Sequence, residues 1–214
     1  FKMGVEGLNR MAKSLEVPVI SGNVSFYNES GQGPVKPLAE IGMVGLIEDH
    51  RERIDSSFYP VDSALYLIDL SERTLSPTVF SKEFAKEDGG IVPDIEPEKL
   101  LQFVKEISNG DYLSARVISK GGLFTSLFKM SLNHETGFEV NRDDDLFLFG
   151  EGPASILFQV RDDKREEFES RMGEFLPKNI GKVLIEERIS VNGEELNKEK
   201  LKKTYFESFG GWFK

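Results

Sequence analysis

Residues 18–30 read PVISGNVSFYNES, and this stretch decides where the chain sits among folds. Residues 17–21 form a short apolar run in which Pro18, with no N–H to donate, fits only a strand start or an edge. Small residues and side-chain oxygens leave the end of that run together. Gly22 permits a turn or close approach that a Cβ would block. Asn23 carries a neutral carbonyl oxygen suited to a hard cation such as Mg²⁺, and Ser25 adds a hydroxyl nearby. Polar groups presented after strand C-termini are common ligand sites in α/β sheets. The same residues also make ordinary turns, so composition alone leaves both readings open.

Upstream, Met3, Leu8, Met11 and Leu15 recur at roughly helical spacing, which predicts an amphipathic helix packing one face on a sheet. Downstream, residues 22–40 are rich in Gly, Asn, Ser and Pro, a long polar loop of the kind that often carries function. Residues 41–47 (IGMVGLI) then read as a buried strand, with Gly42 and Gly45 allowing something to approach closely. The charged stretch at 49–61 (DHRERIDSSFYPV) is the best candidate for a domain boundary. The sequence thus divides into an N-terminal part over 1–50, a linker over 51–61 and a second domain over 62–214.

In the second part, residues 64–68 (ALYLI) predict a strand, and 97–108 a helix with Pro97 at an early position. A strand follows at 112–119, then a broad apolar helix opened by Gly121-Gly122. Further strands are expected at 154–160 and 181–190. Between them lies an exposed helix over 162–172 whose leading acids suit its dipole. Asn192-Gly193 signals a hairpin turn. Residues 196–206 read as a surface helix, with Phe209, Trp212 and Phe213 docking the end onto the body. Loose alternation of strands and helices gives an α/β domain of the α+β kind.

Composition narrows the chemistry. The chain has no Cys, which excludes thiolate catalysis and a disulfide framework. A formal net charge of −10 argues against a nucleic-acid surface. No apolar run approaches the ~18 residues of a membrane span, and the N-terminus lacks a secretory apolar stretch, so no membrane is expected and the cytoplasm is the default. Phe1 opens directly on a helical pattern, so the chain reads as a piece of something longer. No Gly-x-x-x-x-Gly-Lys-Ser/Thr or dinucleotide fingerprint occurs. The acidic runs at 143–145 and 162–163 read as solvated faces rather than metal sites, and His50 and His134 as structural.

The segment PVISGNVSFYNES, followed after a Pro-containing loop by IGMVGLIED and preceded by VEGLNRMAKSLEVPV, resembles the phosphoribosylformylglycinamidine synthase family. That family lies within the wider aminoimidazole ribonucleotide synthetase (PurM-like) superfamily. The close match covers roughly the first 50 residues. The resemblance implies the end of a PurM-like N-terminal sheet domain followed by a PurM-like C-terminal α/β domain. It implies an ATP- and Mg²⁺-dependent C–N ligase of purine biosynthesis, which converts formylglycinamide ribonucleotide and glutamine-derived ammonia to formylglycinamidine ribonucleotide. Carried over by position, Gly22 would contact ATP, Asn23 would ligate Mg²⁺ and Ser25 would contact the substrate. A separate glutaminase subunit and a small accessory subunit are the implied partners. No catalytic residue falls in this chain, which should be inactive alone.

The second domain departs from the superfamily pattern. Where members often carry D-I-S-D-G-G-L, residues 117–123 read VISKGGL, so an acid able to hold metal is replaced by Lys120. The glycine pair then serves close packing, and Glu151-Gly-Pro-Ala resembles a worn phosphate or substrate segment. This domain is therefore expected to be structural. Other superfamily enzymes (selenophosphate synthetase, thiamine monophosphate kinase, hydrogenase maturation protein) and a non-catalytic nucleotide-binding or interaction module are the competing readings.

Overall fold

The computed structural model describes residues 1–25, 28–35, 38–86, 89–108, 110 and 112–210. Its centre is β3 (Ser63–Asp69), where apolar side chains point both ways, so both faces need a cover. β3 pairs antiparallel with β6 (Ser155–Arg161) and with β7 (Lys178–Leu184). Beyond β6 lies β4 (Ser114–Val117). Beyond β7 come β5 (Gly137–Val140), β8 (Ile189–Val191) and β9 (Glu194–Leu196). The seven strands run in the order β4-β6-β3-β7-β5-β8-β9, antiparallel throughout except for the parallel β5/β8 pair.

Helices close both faces. On one face, Leu65, Leu67 and Leu157 meet α3 (Gly122–Met130), α4 (Asp145–Phe149) and Leu201 and Tyr205 of α6 (Lys198–Gly210). On the other, Tyr66, Ile68, Phe158 and Val160 meet Phe103 of α2 (Pro97–Ile107) and Phe168 of α5 (Arg165–Arg171). The phenylalanine-rich composition becomes a chain of ring contacts here. Phe158 touches Phe103, Tyr112 and Phe168 at centroid distances of 6.3, 5.0 and 5.4 Å. Each such pair adds about 0.5–1.5 kcal/mol beyond the area it buries.

Several sequence expectations hold. Pro97 sits in the first turn of α2. Asn192 and Gly193, with φ of 49° and 83°, make the two-residue turn between β8 and β9 that requires left-handed backbone at both positions. Others change. The run at 181–190 is two strands, because residues 185–188 turn the chain so that β8 joins β5 rather than extending β7. The segment read as a linker contains Phe58, fully buried, whose N–H donates to the Met130 carbonyl at 2.8 Å.

The N-terminal 50 residues differ most from expectation. α1 (Lys2–Ser14) forms, yet none of its residues is buried. It lies beside α2 through Ser14 Oγ–Glu98 Oε1 at 3.3 Å and Arg10–Asp94 at 3.9 Å instead of packing on a sheet. Residues 17–21 and 41–47 belong to no strand among the described residues. Met43, Val44 and Leu46 are 70%, 92% and 98% exposed, so the expected buried strand is absent here. The physical reason is that a strand exists only by pairing, and among the described residues neither run pairs with another strand. Among its described residues, the loop holds a short hairpin, β1 (Glu29–Ser30) against β2 (Gly33–Pro34).

The last helix is more deeply anchored than a surface helix. Lys198 is buried, and its ammonium donates to the Thr136 carbonyl at 2.6 Å and to Glu187 Oε1 at 2.9 Å; Lys202 donates to the same oxygen at 2.6 Å. Hydrogen bonds from Lys202 and Lys198 hold the Glu187 carboxyl below its ordinary value. A depressed carboxylate contributes stability that is present above its unfolded pKa of about 4.3 and is lost as pH falls through its folded value. Contacts of Leu201 and Tyr205 should therefore loosen only as pH falls below about 4.3 in the wild type. In Glu187→Gln that pH step should vanish, which methyl and ring NMR shifts of α6 can follow. Trp212 and Phe213, expected to dock the chain end, lie outside the described residues, as does the side chain of Phe209. No described helix is long and apolar enough to cross a membrane.

Candidate functional site

The loop singled out by sequence runs over the surface. Gly22, Asn23 and Ser25 are all exposed outside any helix or strand, and Phe26 and Tyr27 of the same motif lie outside the described residues. A Cβ at Gly22 would meet nothing within 4 Å. Among the described residues, no hydrogen bond or ion pair engages Asn23 or Ser25. The polar atoms of Asn23 and Ser25 are thus exposed, and no described residue engages them. As a donor set, one amide oxygen and one hydroxyl suit a hard cation and a polar substrate. They do not complete a metal shell, and no cluster of three or more acidic, His or Cys side chains able to hold a metal occurs among the described residues.

The part of the chain that carries the seven-stranded sheet brings together three segments that the sequence reading treated separately. Thr74 and Glu151 exchange both backbone hydrogen bonds at 2.9 Å. Glu151 Oε1 accepts from the Gly121 N–H at 2.9 Å and from the Val79 N–H at 3.2 Å. A small cleft of about 190 Å³ opens between them, lined by Thr74, Pro77, Pro93, Lys120 and Glu151 among others. Sequence reasoning marked Lys120 and the Glu151 segment but missed the 74–93 loop. Its signals were Pro77 and Gly89-Gly90, which punctuate the chain there.

Several of the acidic and histidine side chains marked in the sequence have local partners. Asp144 caps α4 by accepting from the Phe147 N–H at 2.9 Å, and its hydrogen bond from Arg142 holds its carboxyl below the usual range. Arg161 does the same for Asp163. His134 stacks on Tyr59 with ring centroids 6.1 Å apart, and His50 is exposed beside Asp49.

No protein-family model matches the chain. Two curated relatives match most of it. The phosphoribosylformylglycinamidine synthase subunit PurL of Leuconostoc mesenteroides is 31% identical over 213 residues, 95% of this chain and 29% of the relative. PurL of Leptospira biflexa is 35% identical over 190 residues, 80% of this chain and 25% of the relative. Among solved structures, Thermotoga maritima PurL complexed with FGAR superimposes with a TM-score of 0.65 at 14% identity, covering 90% of this chain and 35% of that one. The same protein complexed with AMPPCP gives 0.61. The structural likeness establishes the fold, and the chain spans under a third of the length of these curated relatives. By sequence over nearly its whole length, the chain belongs to the phosphoribosylformylglycinamidine synthase PurL family.

Proposed function

We propose that this chain is part of an ATP-dependent C–N ligase that turns formylglycinamide ribonucleotide into formylglycinamidine ribonucleotide in purine biosynthesis. The observation that carries this reading is the match to PurL over 95% of the chain at 31% identity. In the reaction, the γ-phosphoryl group of ATP passes to the substrate's amide oxygen, which makes that oxygen a leaving group. Ammonia attacks the same carbon, phosphate departs, and the amidine remains. Relatives solved with FGAR and with an ATP analogue support the substrate and nucleotide classes. A separate glutaminase subunit and a small accessory subunit would supply the ammonia, in the cytoplasm.

Within this chain, Gly22 would let a phosphate approach bare backbone, Asn23 would ligate Mg²⁺ through Oδ1, and Ser25 would hydrogen-bond the substrate. When bound, the cation offsets phosphate charge during transfer. A neutral amide is a suitable ligand because it adds no further negative charge beside a triphosphate. Residues 1–50 would be the end of a PurM-like N-terminal domain, 51–61 the connection and 62–214 the PurM-like C-terminal domain. Two observations support that division: no described residue of 1–50 is buried, and the seven-stranded sheet begins at Ser63. The exposed apolar run at 41–47 fits a strand whose partner lies in another part of the same enzyme.

The test is amidine formation from formylglycinamide ribonucleotide, ATP, Mg²⁺ and ammonia by the protein that contains this chain. Asn23→Ala should lower kcat/KM by roughly tenfold or more at limiting Mg²⁺, with partial recovery in excess Mg²⁺. No amidine from the wild type would move the other superfamily enzymes ahead. Full activity of Asn23→Ala would leave the family standing and remove the metal assignment.

A further inference from the structure

The glycine turn at the start of α3 has the outward form of an anion cradle. It opens a nine-residue helix, both glycines have positive φ (86° and 70°), and the helix has no side-chain cap of its own. The structure nonetheless shows both glycine N–H groups in use. Gly122 donates to the Ser119 carbonyl at 2.9 Å, and Gly121 donates to Glu151 Oε1 at the same distance. The carboxylate therefore sits at the positive end of the helix dipole, where an external phosphate would otherwise be stabilised. Its second bond, from Val79, fastens the 74–80 segment over the same place.

We infer that Glu151 is a built-in anion that occupies this cradle and closes the second domain's cleft to phosphate-bearing ligands. A carboxylate already bonded to the helix end repels a second anion and removes the N–H that would bind it. Exposed Lys120 at the cleft wall supplies a countercharge but no replacement donor on the backbone. The cleft is then a self-satisfied joint between α3, the 74–80 segment and the turn before β6. This inference does not depend on the ligand assignments at Gly22, Asn23 and Ser25.

The experiment is a titration of the isotopically labelled 214-residue chain with inorganic phosphate, followed through the Gly121 and Gly122 amide resonances. In the wild type, neither amide should move at millimolar phosphate. In Glu151→Ala the Gly121 resonance should shift and saturate, with an affinity roughly tenfold or more above the wild type. Glu151→Gln keeps an oxygen that can accept from Gly121 and Val79 but removes the charge, so it preserves the joint and should show a smaller gain. It carries the test if the alanine variant does not fold. A saturable shift of Gly121 in the wild type, equal to that in the variants, would overturn the proposal. So would the absence of any phosphate binding in both variants.

Discussion

Gly122→Ala is expected to lower the unfolding free energy by about 2–5 kcal/mol with no ligand present. Two costs combine. Gly122 has φ of +70°, a region where a Cβ costs roughly 1–2 kcal/mol. An added Cβ would also lie 2.6 Å from the Phe149 backbone and 2.8 Å from the Leu148 carbonyl oxygen. Backbone atoms cannot turn away as a flexible side chain can, so α3 and α4 must separate at a point where both contribute to the core. Overpacking of this kind costs about 1–3 kcal/mol more. In urea, for a slope near 2–3 kcal/mol per molar, the far-UV circular dichroism midpoint should fall by about 0.7–2.5 M. An unchanged midpoint would mean that the glycine pair is kept for something other than packing.

That expectation separates the two ends of the chain. Around the seven-stranded sheet, residues that resemble a ligand motif have internal partners: Gly121 and Glu151 satisfy each other, and Gly122 is needed for contact with α4. In the N-terminal part, the motif residues have no such partners among the described residues, and the apolar run that follows is exposed to solvent. A position whose geometry is explained by packing asks for no ligand. A position such as Gly22, where a Cβ would meet nothing, does not need glycine for any contact within this chain.

The core around the seven-stranded sheet was legible in the sequence because its signals are local. Residues 64–68 announce a doubly covered strand, Pro97 a helix start and Asn192-Gly193 a hairpin turn, and each forms where its chemistry requires. The N-terminal runs at 17–21 and 41–47 carry equally strong strand composition, yet strand formation depends on a partner that local pattern does not contain. The joint around Glu151 was out of reach for a related reason. Its three segments are separated by tens of residues, and a carboxylate next to a glycine looks the same whether it binds a metal, repels a phosphate or caps a distant helix.

Gln159 shows the same limit and gives the second large expected effect. It stands in the apolar strand ASILFQV as a polar residue with no local explanation, and the structure buries it fully in β6. Its amide then makes four hydrogen bonds. Oε1 accepts from the Tyr59 N–H at 2.9 Å and from Ser114 Oγ at 3.1 Å; Nε2 donates to the Tyr59 carbonyl and to Ser63 Oγ, both at 2.8 Å. The side chain thus stands in for a strand partner to Tyr59, fixing the 55–59 segment against the sheet between β3 and β4. Gln159→Leu keeps most of the volume but strips partners from two backbone groups and two hydroxyls, which should cost about 3–5 kcal/mol in chemical denaturation. Gln159→Glu discriminates this account from simple loss of packing. A buried carboxyl there must remain protonated to donate, so its folded pKa is raised above the unfolded value of about 4.3. Stability should then be retained best below that pH and fall as pH rises toward neutrality. A Gln159→Glu variant equally stable at pH 4 and pH 7 would show that the Tyr59 bonds do not depend on the donor at Nε2.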